Sequence, residues 1–121
     1  NNFEFNQSLA PAAYAASTND GSYVDCQAYE GPLTALAIAG VCTDGNYLPA
    51  LEEDDDGSGA GTSITPNHGA FETITSSNDV ETVVVAFKRT KRYVRMVMPE
   101  TSAGATGVVF TGIIIGMRKA V

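Results

Sequence analysis

At 121 residues, 17% of them charged, with two cysteines and no Trp, the chain has the length of one domain with a self-supporting core. It is too poor in cysteine for a disulfide framework. Twelve glycines beside plentiful Thr, Ser and Ala, with no long Leu/Glu/Lys helical patterning, lean all-β. A net charge of −7 argues against a dedicated nucleic-acid binder, whose affinity comes mainly from neutralising phosphates.

The charge is segregated along the chain. Thirteen acids and no Lys or Arg precede Lys88; from there on, seven cations face Glu100 alone. One reading is that these charges only solvate strand edges and turns. The sharper one is electrostatic complementarity between neighbouring subunits, an acidic face meeting a basic one.

Taken in order, Asn2 to Leu9 places Phe3, Phe5 and Leu9 on alternate positions, the period of a first strand or an extended arm. Ala10 to Asp20 is small-residue and contains Pro11; it fits a short helix over Pro11 to Ala16 or a loosely ordered arm. Residues 1–20 are therefore read as an N-terminal arm or first strand, and 21–121 as one sandwich domain. Ser22 to Tyr29 alternates and is broken by Gly31-Pro32. Leu33 to Cys42 is apolar throughout, a strand covered on both faces or a short buried helix, with length and flanks favouring strand. Asp44-Gly45 marks a turn, and Tyr47 to Glu53 returns, with Pro49 implying an edge or a bulge.

Five consecutive carboxylates, Glu52, Glu53, Asp54, Asp55 and Asp56, open the stretch 52–61, expected as an exposed loop or hairpin tip that continues to Asn67. Phe71 to Thr75 alternates as a short strand. Val83, Val85 and Phe87 then share one face. Lys88 to Lys91 turns, and Val94, Met96 and Met98 face the core with Tyr93 and Arg95 outside. Val108 to Met117 is the last strand, where Gly112 and Gly116 mark bulges or close backbone approaches. About eight strands at regular spacing define an antiparallel two-sheet β-sandwich. No basic-then-apolar leader opens the chain, and Gly107 to Met117 is too short to cross a bilayer as a helix, so a soluble protein is expected.

Catalysis lacks its parts. The single histidine, His68, lies in a polar loop without a Gly-x-Ser-x-Gly elbow or a neighbouring thiol. The acids at 52–56 share one segment, whereas a glycosidase pair faces across a cleft. Asp54-x-Asp56-Gly57-Ser58 superficially resembles a calcium loop, but the glycine comes too early and Thr65 stands where the bidentate Glu belongs. Cys26 and Cys42 have no metal spacing and are expected as buried free thiols. No cofactor and no metal is expected, and the chain is read as no enzyme.

The series TDGNYLPALEEDDDGS (Thr43 to Ser58), KRYVRMVM (Lys91 to Met98) and GVVFTGIIIG (Gly107 to Gly116) resembles small tailed-bacteriophage virion proteins of the capsid decoration, or cement, kind. The KRYVR strand and the DDGS turn are its most specific parts. After the turn the chain departs from that pattern, with Gly59-Ala60-Gly61-Thr62 where an aromatic is common, which bears on how the following hairpin closes. The resemblance implies a jelly-roll-like sandwich without enzymatic activity that assembles as oligomers on the capsid exterior of the virion, after synthesis in the host cytoplasm. Its partners would be the major capsid protein and other copies of the chain, as dimer or trimer, with no nucleic acid and no membrane.

On that reading Lys88, Arg89, Lys91, Arg92 and Arg95, with Arg118 and Lys119 at the C-terminal end, make charge-assisted contacts to acids of a capsid subunit or a sister copy. The acidic turn Glu52 to Asp56 of another copy is the expected counterpart, and Asn1 to Thr18 would lie across a neighbour. The alternatives are a sandwich module recognising a glycan or host surface, with Tyr14, Tyr23, Tyr29 and Tyr47 as the candidate platform, or a phage tail or fibre component.

Overall fold

The computed structural model describes residues 2–15, 19–102 and 104–119, with the backbone alone over 100–102. Among them there is no helix, and hence none able to cross a membrane. The strands, in chain order, are β1 (Phe3–Tyr14), β2 (Asn19–Asp20), β3 (Val24–Asp25), β4 (Tyr29–Cys42), β5 (Asn46–Tyr47), β6 (Ala50–Asp54), β7 (Thr62–Ile64), β8 (Thr82–Phe87), β9 (Tyr93–Met98), β10 (Glu100–Ser102) and β11 (Val108–Arg118).

Two antiparallel sheets carry the domain. The first has the order β1-β11-β4-β8; in the second β9 pairs with both β2 and β3 on one side and with β6 on the other, and β6 pairs with β7. A short ribbon joins β5 to β10. The inner faces meet in one core that includes Leu33, Val85, Phe110 and Ile114 from the first sheet and Leu51, Val94, Met96 and Met98 from the second. This is an all-β antiparallel sandwich, as the alternating pattern requires.

The last strand shows how closely the sheets approach. Gly112 and Gly116 lie on the inward side of β11, where an added Cβ would collide with the Met96 sulfur and with the Tyr29 ring respectively. A larger residue at Gly112 would push the sheets apart, and one at Gly116 would displace the Tyr29 ring of neighbouring β4 in the same sheet. Ser8 closes one edge: it is buried, sits at a register shift of β1, donates from Oγ to the Ser22 carbonyl (2.9 Å) and accepts from the Met96 amide (2.8 Å). A β1 side chain thereby fills the gap between β2 and β3 alongside β9.

Several expectations change. Residues 3–14 are not a free arm and the part of Pro11 to Ala16 that is described is not helical. They form the first strand, the other reading of this segment, an edge strand paired with β11 from Phe3↔Met117 to Tyr14↔Val108 with register shifts between Gln7 and Leu9 and between Leu9 and Ala12. Residues 16–18, the end of the expected helix and arm, lie outside the described residues.

The break expected at Gly31-Pro32 is instead inside β4. Pairing with β8 begins only at Leu33↔Phe87, and the β11 ladder has an irregularity between Ile115 and Met117, so Pro32 removes no needed donor. Pro49 does break a strand, separating β5 from β6. Of the Ser22 to Tyr29 run only Val24–Asp25 and Tyr29, the first residue of β4, are strand. Phe71 to Thr75 contributes a single bridge, Tyr47↔Ile74, since the Asn78 side chain takes up the Thr75 amide (2.6 Å) and the Thr73 carbonyl (2.7 Å). Residues 62–64, expected as loop, pair with β6, so the hairpin after Ser58 closes.

Val80 has φ 55° and is 65% exposed, a left-handed backbone that a β-branched residue adopts only at a cost. Its amide donates to the Gly40 carbonyl at 3.0 Å, which holds it there. Val80→Asn keeps that bond and tolerates the conformation. Stability in urea is expected to rise by about 1 kcal/mol; a fall would show that the valine side chain contributes contacts that outweigh the strain.

Candidate functional site

Of the residues singled out from the sequence, those at 52–56 and 88–95 gather on the second sheet and at the turn between β8 and β9, whereas Arg118 and Lys119 lie at the end of β11 in the first sheet. The antiparallel register sets Glu52 directly opposite Arg95 and Asp54 opposite Tyr93. The acidic segment and the KRYVR strand are thus one structural unit. Gly57 belongs to it too: its φ is 72° and an added Cβ would strike the Tyr93 ring, so the glycine of the DDGS turn is what lets the turn fold over that strand.

Within this unit the cations find partners in their own chain. Arg95 donates to Glu52 Oε1 from Nη2 (2.8 Å) and Nε (3.0 Å), lies 3.8 Å from Asp20 and stacks over the Tyr23 ring at 4.5 Å. Its side chain is only 14% exposed. Burial pulls its pKa down, but the Glu52 hydrogen bond and the neighbouring carboxylates leave it raised. Arg92 makes a two-point contact with Asp25 (Nε to Oδ1 3.0 Å, Nη2 to Oδ2 2.8 Å) and covers the Tyr93 ring at 5.1 Å. That contact, helped by the Gln27 amide, holds Asp25 down to about 2.

Arg89 donates to the carbonyls of Cys26 (2.8 Å) and Lys91 (3.1 Å), and Lys91 Nζ reaches Thr62 Oγ1 at 3.2 Å. Arg118 pairs with Glu4 at 3.0 Å, whose other oxygen accepts from the Tyr29 hydroxyl at 2.8 Å. Lys88 and Lys119 are exposed and carry no ion pair among the described residues.

The acids divide in the same way. The segment is not simply an exposed loop, because β6 continues through Asp54 and its alternation turns Glu53 inward, where it is 7% exposed. Glu53 accepts from the Thr90 amide (2.7 Å), the Thr90 hydroxyl (2.9 Å) and the Lys91 amide (3.0 Å). Burial alone would raise its pKa; these bonds lower it below the usual carboxylate value. Asp54 takes the amides of Gly59 and Ser58, both at 3.2 Å, and is held down to about 2, the Gly59 bond first among the causes. Asp55 and Asp56 are exposed at the tip, and Asp56 Oδ1 accepts from Ser58 N and Oγ. Among the described residues no group of three His, Cys, Asp or Glu could hold a metal ion.

The other candidates are dispersed. Cys26 and Cys42 are buried free thiols, and burial pushes Cys26 up to about 11. His68 is exposed and bridges Ala86 through its backbone; the surface hollow beside it is lined by Pro32, Asn67, Ala86, Phe87 and Lys88, with no carboxylate or nucleophile. Tyr29 and Tyr47 are buried, and Tyr14 packs edge-on against Phe110, so these tyrosines form no common platform.

The sequence reading missed the opposite surface. Leu33 to Cys42, read as a strand covered on both faces or a short buried helix, is strand, but no described residue covers the outer face of β1-β11-β4-β8. Cross-strand rows Phe5–Ile115–Thr34–Ala86 and Gln7–Ile113–Leu36–Val84 run across it, flanked by Phe3–Met117–Glu30 and by Thr111–Ile38–Thr82. Phe5 is 67% and Val84 57% exposed, and Glu30, at one end of the face, is the one charged residue in these rows. The signal was legible: in GVVFTGIIIG and LTALAIAG both alternate sets are apolar, and only one can face the core.

No family model, curated protein or solved structure matches the chain.

Glu53→Ala removes three hydrogen bonds and strands two backbone donors. It is expected to lower stability by about 3 kcal/mol, whereas Asp55→Ala at the exposed tip should stay within about 0.5 kcal/mol. Equal effects in chemical denaturation would contradict the keystone role of Glu53.

Proposed function

We propose that this chain is a structural virion subunit that decorates and stabilises a bacteriophage capsid by protein–protein contact, without catalysis. The observation that carries the reading is the largely apolar outer face of β1-β11-β4-β8, whose rows hold Glu30 as their one charged residue. A monomeric protein rarely leaves so large a contiguous apolar surface in water, and one of this extent marks an assembly surface.

Two further points support it. The segments that resemble phage decoration proteins, Thr43 to Ser58 and Lys91 to Met98, are adjacent in space and tied by Glu52–Arg95 and by Gly57 under Tyr93. The strand order also supports a jelly roll. If β2 and β3 count as one interrupted strand, the longer strands pair from the ends of the chain inward: β1 with β11, β2/β3 with β9, β4 with β8 and β6 with β7. Jelly rolls serve viral capsids and lectins alike, so the surface rather than the fold decides between them. Two of the four tyrosines of a glycan platform are buried here.

With Arg95 committed to Glu52, the cations best placed for a capsid subunit are the exposed Lys88 and Lys119 and the half-exposed Arg92 and Arg118. Purified chain mixed with heads of its own phage should co-sediment saturably and raise the temperature at which the heads rupture, while a glycan array stays silent. A chain that remains in the supernatant, or one that lights a defined glycan, would overturn the proposal.

A further inference from the structure

The occupant of the apolar sheet face can be specified from its size, shape and charge. Four neighbouring strands span about 20 Å, and the paired length of the central strands is about 30 Å, so the face measures on the order of 600 Å² in projection. Standard two-partner interfaces bury about 800 Å² on each side, so a partner of the same size and flatness would cover it. Facing apolar sheets stack by interdigitating side chains. Here bulky Phe5 and Ile115 occupy the β1-β11 half of one row and the smaller Thr34 and Ala86 its β4-β8 half, so a copy turned about a two-fold axis along the strands sets its bulky pair over the small one.

Charge selects the same arrangement. A chain of net charge −7 repels its own copies wherever acids meet. The rows on this face hold one, Glu30 at the Phe3–Met117 end, and the exposed acids Asp55 and Asp56 follow β6 of the other sheet. Two copies joined through the β1-β11-β4-β8 faces therefore keep those acids on opposite outer sides of a four-layer stack.

We infer that the outer face of β1-β11-β4-β8 takes a second copy of this chain, forming an isologous face-to-face dimer. The inference rests on the reading of this face as an assembly surface and names its partner as another copy of the chain.

Analytical ultracentrifugation of the chain alone, with Phe5→Glu and Val84→Glu as variants, tests it. Both positions are more than half exposed in the single chain, so the substitutions leave the fold intact, which circular dichroism checks. The wild type is expected to sediment at about twice 12.6 kDa. Because each substitution enters a symmetric interface twice, each variant should associate roughly a hundredfold more weakly. A wild-type monomer that binds phage heads and loses them on Val84→Glu would show that the capsid covers the face, which overturns the dimer but leaves the proposed function standing. A dimer unaffected by both variants, or a three-chain assembly, would place self-association elsewhere and overturn the inference. A monomer that ignores heads would overturn both.

Discussion

The structure depends on one constraint: β11 is apolar on both of its sides and lies second from the edge of its sheet. Its inward set, Val108, Phe110 and Ile114 with Gly112 and Gly116, packs so closely that two positions admit no side chain, Gly112 against Met96 of the second sheet and Gly116 against the Tyr29 ring of neighbouring β4. Its outward set, Val109, Thr111, Ile113, Ile115 and Met117, is then committed to the other surface by the period of a strand. β4 and β1 pair with it in registers that place Leu36, Ile38, Phe3 and Phe5 alongside. The core and the exposed apolar face are thus two consequences of the same alternation. A one-residue slip would exchange them, and the inward glycines would become holes in the outer face while Ile113 and Ile115 collided with Met96 and Tyr29.

The charges follow an opposite logic. Along the sequence they are separated into an acidic part and a basic end; in space β6 and β9 lie side by side and much of that separation is cancelled. Glu52 and Asp20 hold Arg95, Asp25 holds Arg92, and Glu4 holds Arg118. Exposed pairs such as Arg92–Asp25 contribute little to stability, but Glu53 is different because it is buried and satisfies the backbone of the turn carrying the cations. The unit formed by β6, its acidic turn and β9 is thereby a braced corner of the fold, with the exposed acids of that turn reduced to Asp55 and Asp56 at the tip.

The all-β class and most long strands were legible because their apolar positions alternate, as in Val83, Val85 and Phe87 or Val94, Met96 and Met98. What failed was local and has local causes. Phe71 to Thr75 alternates, yet the Asn78 side chain claims its backbone groups. Gly31-Pro32 looks like a break but falls where neither neighbouring ladder needs it. Five carboxylates in a row read as a loop, because nothing in that run announces that Thr90 and Lys91 would supply donors to Glu53 from 37 and 38 residues away. The charged candidates were found by composition, but their intrachain pairing requires the β6–β9 register. The apolar outer face was written in two strands apolar on both sides, a pattern that also fits a strand buried on both faces; only the absence of a covering layer decides.

The central claim is that assembly runs through a largely apolar face and not through a meeting of acidic and basic surfaces. Salt separates the two. Sedimentation equilibrium of the chain from low to high sodium chloride should show self-association that holds or strengthens, since screening relieves the repulsion between two −7 chains and leaves apolar burial in place. Association that weakens steadily as salt rises would mean that the cations meet the acids of another copy, and would contradict the account.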